Sequence, residues 1–153
     1  MDKFESFEDI IDFAISGETE AVIFYRGLAK KVDEKWMKAV FEDFAKEEEG
    51  HRRKLEAIKA GHSFPETKKA IVDLKIGDYL VDVDPDENEN LGYQEALIIA
   101  MKKEKAAFKL YSDLARGTDN EEWKQVFLSL AQEEAKHKLR FEVEYDDVVF
   151  EEN

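Results

Sequence analysis

The chain of 153 residues contains no cysteine, only two prolines and seven glycines, and no long uninterrupted apolar run. Each absence excludes something. Without cysteine there are no disulfides, no thiolate nucleophile, no Cys-ligated zinc and no iron–sulfur cluster. With so little proline and glycine, few turns are available and long helices are expected. Acids break up every apolar stretch of the N-terminus, MDKFESFEDIIDFAI, which therefore reads as neither a signal peptide nor a membrane span. Basic surface is also scarce. Lys and Arg total 23 against 37 Asp and Glu, a net charge of −14. A phosphate-binding partner needs a basic face, so nucleic acid is not expected, nor is an anionic membrane surface. Cytoplasmic residence is the expectation.

What is present is helical periodicity. Four stretches repeat apolar residues at alternating three- and four-residue steps. The first carries Phe4, Phe7, Ile11, Ala14, Ala21, Tyr25 and Leu28; the second Met37, Phe41, Phe44, Leu55 and Ile58. The third carries Tyr93, Leu97, Ala100, Ala107, Tyr111 and Leu114; the fourth Trp123, Phe127, Leu130 and Phe141. Helices are predicted over about 6–32, 34–60, 90–116 and 120–145, in one domain spanning 1–153. Ser6 with Asp9 resembles an N-cap, Gly117 is placed to end the third helix, and Asp119 with Glu122 to cap the fourth. Only tight turns fit between helices one and two and between three and four, so each pair forms an antiparallel hairpin.

Residues 62–89 hold both prolines (Pro65 and Pro85) and an acidic run. At about 3.3 Å per extended residue this stretch can span the length of a bundle, and it reads as a crossover between helices two and three. Residues 146–153 read as an acidic C-terminal tail. A shift of 86 residues maps Glu18 on Glu104, Tyr25 on Tyr111, Phe41 on Phe127 and Ala45 on Ala131. The two hairpins are pseudo-repeats.

Polar residues interrupt the stripes where burial should be deepest: Glu18, Glu48, His51, Glu104, Glu134 and His137 all keep the apolar register. Their depths agree. Glu18 and Glu48 each lie 15 residues from Asp33 in the first turn, and Glu104 and Glu134 each lie 15 residues from Asp119 in the second. Each histidine follows its glutamate by three residues, almost one turn along the same face. Four buried carboxylates would repel one another and resist ionisation, and two divalent cations remove that conflict. One Glu from each of two helices plus Glu-x-x-His from each of the others is a di-metal ligand set for a bundle. A single Glu-x-x-His in so acidic a chain is weak; two copies at the repeat distance, each with a buried Glu 30 residues earlier, are specific.

Ala21, Ala45, Ala107 and Ala131 are small enough to leave room for ions and an oxidant. Tyr25 and Tyr111 face inward, as core aromatics or as hydrogen-bond donors to the ligand carboxylates. Glu47, Glu49 and Glu133 read as solvated, His62 as a loop histidine, and Trp36 and Trp123 as packing or interface residues near the turns.

Gly17-Glu18 with Tyr25, Ala45-x-x-Glu48-x-x-His51, Glu104 with Tyr111, and Ala131-x-x-Glu134-x-x-His137 together resemble the rubrerythrin branch of the ferritin-like superfamily. The resemblance covers roughly residues 4–141. It implies an all-α, ferritin-like antiparallel four-helix bundle holding two iron ions. It also implies a di-iron oxidoreductase that reduces hydrogen peroxide, with Tyr25 and Tyr111 near the oxidant and a homodimer as the assembly. Oxidation of ferrous iron by oxygen for iron handling, and a di-manganese catalase, are the alternatives. Oxygen and imidazole ligands also suit manganese and zinc. Two departures stand out. Rubrerythrins usually carry a rubredoxin-like domain on four cysteines, so this chain needs an external electron donor such as a rubredoxin-type protein. Their third helix usually offers a further carboxylate one turn after the first, where this chain has Ala107.

Overall fold

A computed structural model describes Phe4, residues 6–61, Tyr79 and residues 92–152. The described residues form four helices and no strand: α1 (Phe7–Lys31), α2 (Lys35–Gly61), α3 (Tyr93–Gly117) and α4 (Glu121–Glu152). Three of the four run close to the expected bounds. The expected crossover at 62–89, with His62, lies outside the described residues apart from Tyr79.

Local chemistry sets the ends. Ser6 is extended, and its hydroxyl oxygen accepts from the Asp9 N–H at 3.1 Å, satisfying one of the free amides of the first turn. The two hairpin turns, 32–34 and 118–120, are alike: Val32 N–H donates to Leu28 O and Thr118 N–H to Leu114 O, both at 3.1 Å. The pseudo-repeat thus extends to the turn hydrogen bonds. At the start of α4 the cap oxygen comes from Asn120, which accepts from the Trp123 N–H at 3.0 Å, rather than from Asp119 as the sequence suggested.

The fourth helix departs furthest from expectation. It continues to Glu152 instead of giving way to a tail after 145. No proline or glycine interrupts this stretch, and Tyr145 and Val148 extend the stripe of Phe141 at four- and seven-residue steps. Both pack against the core. Glu144 is buried and accepts a hydrogen bond from the Tyr93 hydroxyl at 3.1 Å.

Helix α1 packs chiefly on α2, and α3 on α4, with wider spacing between the hairpins. The apolar core falls into two clusters. One contains Phe7, Ile11, Leu55, Leu114, Phe127 and Leu130; the other contains Tyr25, Met37, Phe41, Leu97, Ala100 and Phe141. Between them lies the band of six polar residues. None of the described helices is long and apolar enough to cross a membrane.

Candidate metal centre

All six stripe-interrupting residues are 1–3% exposed, and they converge. Their ligand atoms make two overlapping groups: Glu18, Glu48, His51 and Glu134, and Glu48, Glu104, Glu134 and His137. Within each group the atoms lie within 4.8 Å of one another. Glu48 and Glu134 belong to both. Glu18 with His51 closes one group, and Glu104 with His137 closes the other. The pseudo-repeat thus becomes an approximate two-fold arrangement in which the glutamates of the two Glu-x-x-His motifs are shared.

Both histidines turn the same nitrogen inward. His51 Nδ1 lies 2.8 Å from Glu134, 3.6 Å from Glu18 and 3.7 Å from Glu48. His137 Nδ1 lies 3.0 Å from Glu48 and 3.7 Å from Glu104. These close approaches lack hydrogen-bond alignment. One carboxylate oxygen on each of Glu18, Glu48, Glu104 and Glu134, and Nδ1 of both histidines, are buried without a hydrogen-bond partner. Six orphaned donor atoms aimed into one space, four of them anionic oxygens, are costly unless something cationic takes them. Two divalent cations fit this set.

The electrostatics report the same crowding. Burial, then the charge of Glu48, holds the Glu18 carboxyl well above the ordinary range. Burial, then Glu104 and Glu48, does the same to Glu134. Burial alone would also raise Glu48, but the close approach of Glu18 and of the His137 and His51 imidazoles holds it well below its usual value. Burial opposes charge on the histidines, yet Glu18 and Glu48 push His51 up to about 11, and Glu104 and Glu48 push His137 up to about 10. Without metal, protons do the neutralising.

The tyrosines are not inert core residues. The Tyr25 hydroxyl on α1 donates to Glu104 on α3, and the Tyr111 hydroxyl on α3 donates to Glu18 on α1. Each hairpin thereby holds the terminal glutamate of the other. Burial, then the nearest glutamate, raises both phenols well above 10, so they remain neutral donors.

Two residues that read as solvated take part. Glu133 on α4 is hydrogen-bonded to His51 Nε2 on α2, and Glu47 on α2 to His137 Nε2 on α4. A carboxylate on the outer nitrogen fixes the ring and leaves Nδ1 facing the ligand cluster. Glu47 and Glu133 are themselves related by the 86-residue shift, the signal that could have found them. Glu49 instead pairs with Arg52 at 2.9 Å.

The two sides of the centre differ. On the α2–α4 side Ala45 and Ala131 are buried, and the Phe44 ring stacks on His137 with centroids 4.1 Å apart. On the α1–α3 side a cavity of about 260 Å³ reaches Glu18, Glu48, Glu104 and Glu134, with Ala21 and Ala107 in its wall. Of the two tryptophans, Trp123 stacks on Phe7 with centroids 4.8 Å apart, while Trp36 is half exposed and bonds to Glu34.

The family model for rubrerythrin matches residues 9–145. Among solved structures, the chain is similar to a protein of Thermotoga maritima described as ferritin-like diiron-carboxylate, with a TM-score of 0.78 and 22% identity over 97% of this chain and 99% of that one. It is also similar to a hypothetical protein of Pyrococcus furiosus, with a TM-score of 0.70 and 24% identity over 93% of this chain and 89% of that one. At these identities the two structures speak for the fold. No curated protein matches.

Proposed function

The chain belongs to the rubrerythrin family, and on that premise we propose that it binds two iron ions and reduces hydrogen peroxide with electrons from an external donor. The observation that carries this reading is the pair of overlapping buried ligand groups sharing Glu48 and Glu134. Glu18 and His51 would complete one metal position, Glu104 and His137 the other. Bound as a ferrous pair, the metals supply the two electrons that a peroxide accepts.

The protein's own residues do the rest. The shared glutamates hold the two positions side by side, so that one small oxidant can meet both. Tyr25 and Tyr111 keep their protons and hold Glu104 and Glu18 in place through their hydroxyls, close to where the oxidant would arrive. Glu133 and Glu47 hold the imidazoles with Nδ1 inward. The chain has no cysteine for a one-iron relay of its own, so a rubredoxin-type protein is the proposed reductant.

Anaerobic reconstitution with Fe²⁺ should give about two ions per chain. Stopped-flow absorbance of this ferrous protein should show faster oxidation by hydrogen peroxide than by oxygen, and only one round until reductant is added. Faster reaction with oxygen and release of Fe³⁺ would replace the peroxidase reading with iron handling. Inertness toward both would overturn it.

A further inference from the structure

The cavity between α1 and α3 is far larger than hydrogen peroxide requires. A peroxide molecule occupies about the space of two waters, on the order of 60 Å³ of liquid volume, and a dry cavity of about 150 Å³ already accepts benzene. This one measures about 260 Å³. Phe13, Ala14, Ala21, Ala107 and Leu110 give it an apolar wall, which Ser16, Glu20 and Tyr79 interrupt. Its floor is the four carboxylates and Tyr111. Lys103, the cation in the wall, is turned over the Phe24 ring at 5.4 Å.

The cavity exists because of specific residues. Ala21 and Ala107 are repeat-equivalent, each one turn beyond a terminal glutamate, and each stops at a methyl group. Gly17, also in the lining, would present a Cβ to nothing within 4 Å, so no packing reason demands glycine at this mid-helix position. Their counterparts on the other side, Ala45 and Ala131, are buried, and the cavity of about 370 Å³ on that side is lined largely by charged residues, Asp43, Glu47, Glu133, Lys136 and Arg140. The cavity on the α1–α3 side is therefore the one that brings an apolar wall and the four ligand carboxylates together, and hydrogen peroxide alone has no need of such a wall.

We infer that this cavity binds the apolar body of a small organic hydroperoxide and presents its O–O end to the carboxylate floor. The inference rests on the peroxide-reducing reading above. In the reaction, the hydroperoxide ROOH takes two electrons, supplied by oxidation of the ferrous pair to ferric, and two protons from solvent. The O–O bond breaks, giving the alcohol ROH and water.

Binding is tested apart from turnover. Calorimetric titration of zinc-loaded protein with 2-phenylpropan-2-ol, the alcohol formed from cumene hydroperoxide, should show saturable binding. Ala107→Phe should weaken it by at least about tenfold by filling the space. Ala21→Leu, a smaller change in the opposite wall, should act in the same direction and serves if the phenylalanine variant does not fold. Absence of saturable binding, or unchanged affinity in a folded variant, would overturn the proposal. A second arm compares cumene hydroperoxide with hydrogen peroxide on ferrous protein. Filling the cavity should slow the organic oxidant by about tenfold or more and hydrogen peroxide much less. Reaction with hydrogen peroxide but neither binding nor reaction with the organic pair would sink the cavity proposal alone. Binding of the alcohol with no reaction toward either peroxide would sink the peroxidase reading instead.

Discussion

At the scale of single residues, the division of labour around each imidazole yields a sharp expectation. His51 is held from outside by Glu133 and His137 by Glu47, each across the α2–α4 boundary. Removing such a carboxylate frees the ring to rotate and to present the wrong nitrogen, which typically costs about 10–100-fold in metal affinity. Glu133→Ala should therefore weaken the position completed by Glu18 and His51, and Glu47→Ala the one completed by Glu104 and His137. Competition of each variant with a chelator, read as the affinity of the two metals separately, checks this. Equal loss at both positions in either variant would contradict the pairing. The six buried residues were legible in the sequence because they sit inside apolar stripes, where a carboxylate must be explained. Glu47 and Glu133 were not, because their side chains are 53% and 38% exposed and their partners belong to the other hairpin. Helical periodicity tells which side of a helix is buried; it does not tell which residue lies opposite across a bundle.

At the scale of elements, the hairpins followed from the sequence almost residue for residue, since the short turns and the 86-residue repeat leave little freedom. The end of α4 did not. Its acidic composition suggested a tail, yet apolar spacing outranks charge when the apolar residues meet a core. Tyr145 and Val148 pack on the cluster containing Phe141, and Glu144 receives the Tyr93 hydroxyl. Tyr145→Ala should accordingly destabilise by about 1–3 kcal/mol, the range for deleting partly buried bulk. For a chain of this size that is a fall of several °C in melting temperature, at about 2–4 °C per kcal/mol. Truncation after Asp147, which removes Val148, should lower it too. A melting temperature unmoved by both changes would mean that the last turns of α4 add nothing to the bundle.

At the scale of the whole molecule, a chain of net charge −14 concentrates four of its carboxylates in the core. The metal-free protein must answer this with protons, and the direction of the shifts fixes how its stability depends on pH. Glu18 and Glu134 are raised above their ordinary value of 4.5, so above that pH the folded state keeps protons that the unfolded state releases. His51 and His137 are raised from 6.5 to about 11 and about 10, so the same holds for them between 6.5 and those values. Stability falls with rising pH wherever the folded state binds more protons. Glu48, lowered, acts in the opposite sense only below its ordinary value. Between about pH 6.5 and 9 the two histidines lose their protons in the unfolded chain and keep them in the folded one, so metal-free protein should lose melting temperature across that window. Cations bound at the same atoms displace those protons, so affinity for metal should rise with pH and protons should be released on binding. Because ligand binding to the folded state adds to stability, the difference in melting temperature between metal-loaded and metal-free protein should widen from pH 6.5 to 9. Differential scanning fluorimetry of zinc-loaded and chelator-treated protein in matched buffers measures it directly. A difference that stays constant or narrows would mean that the six buried residues are not the groups exchanging protons for metal.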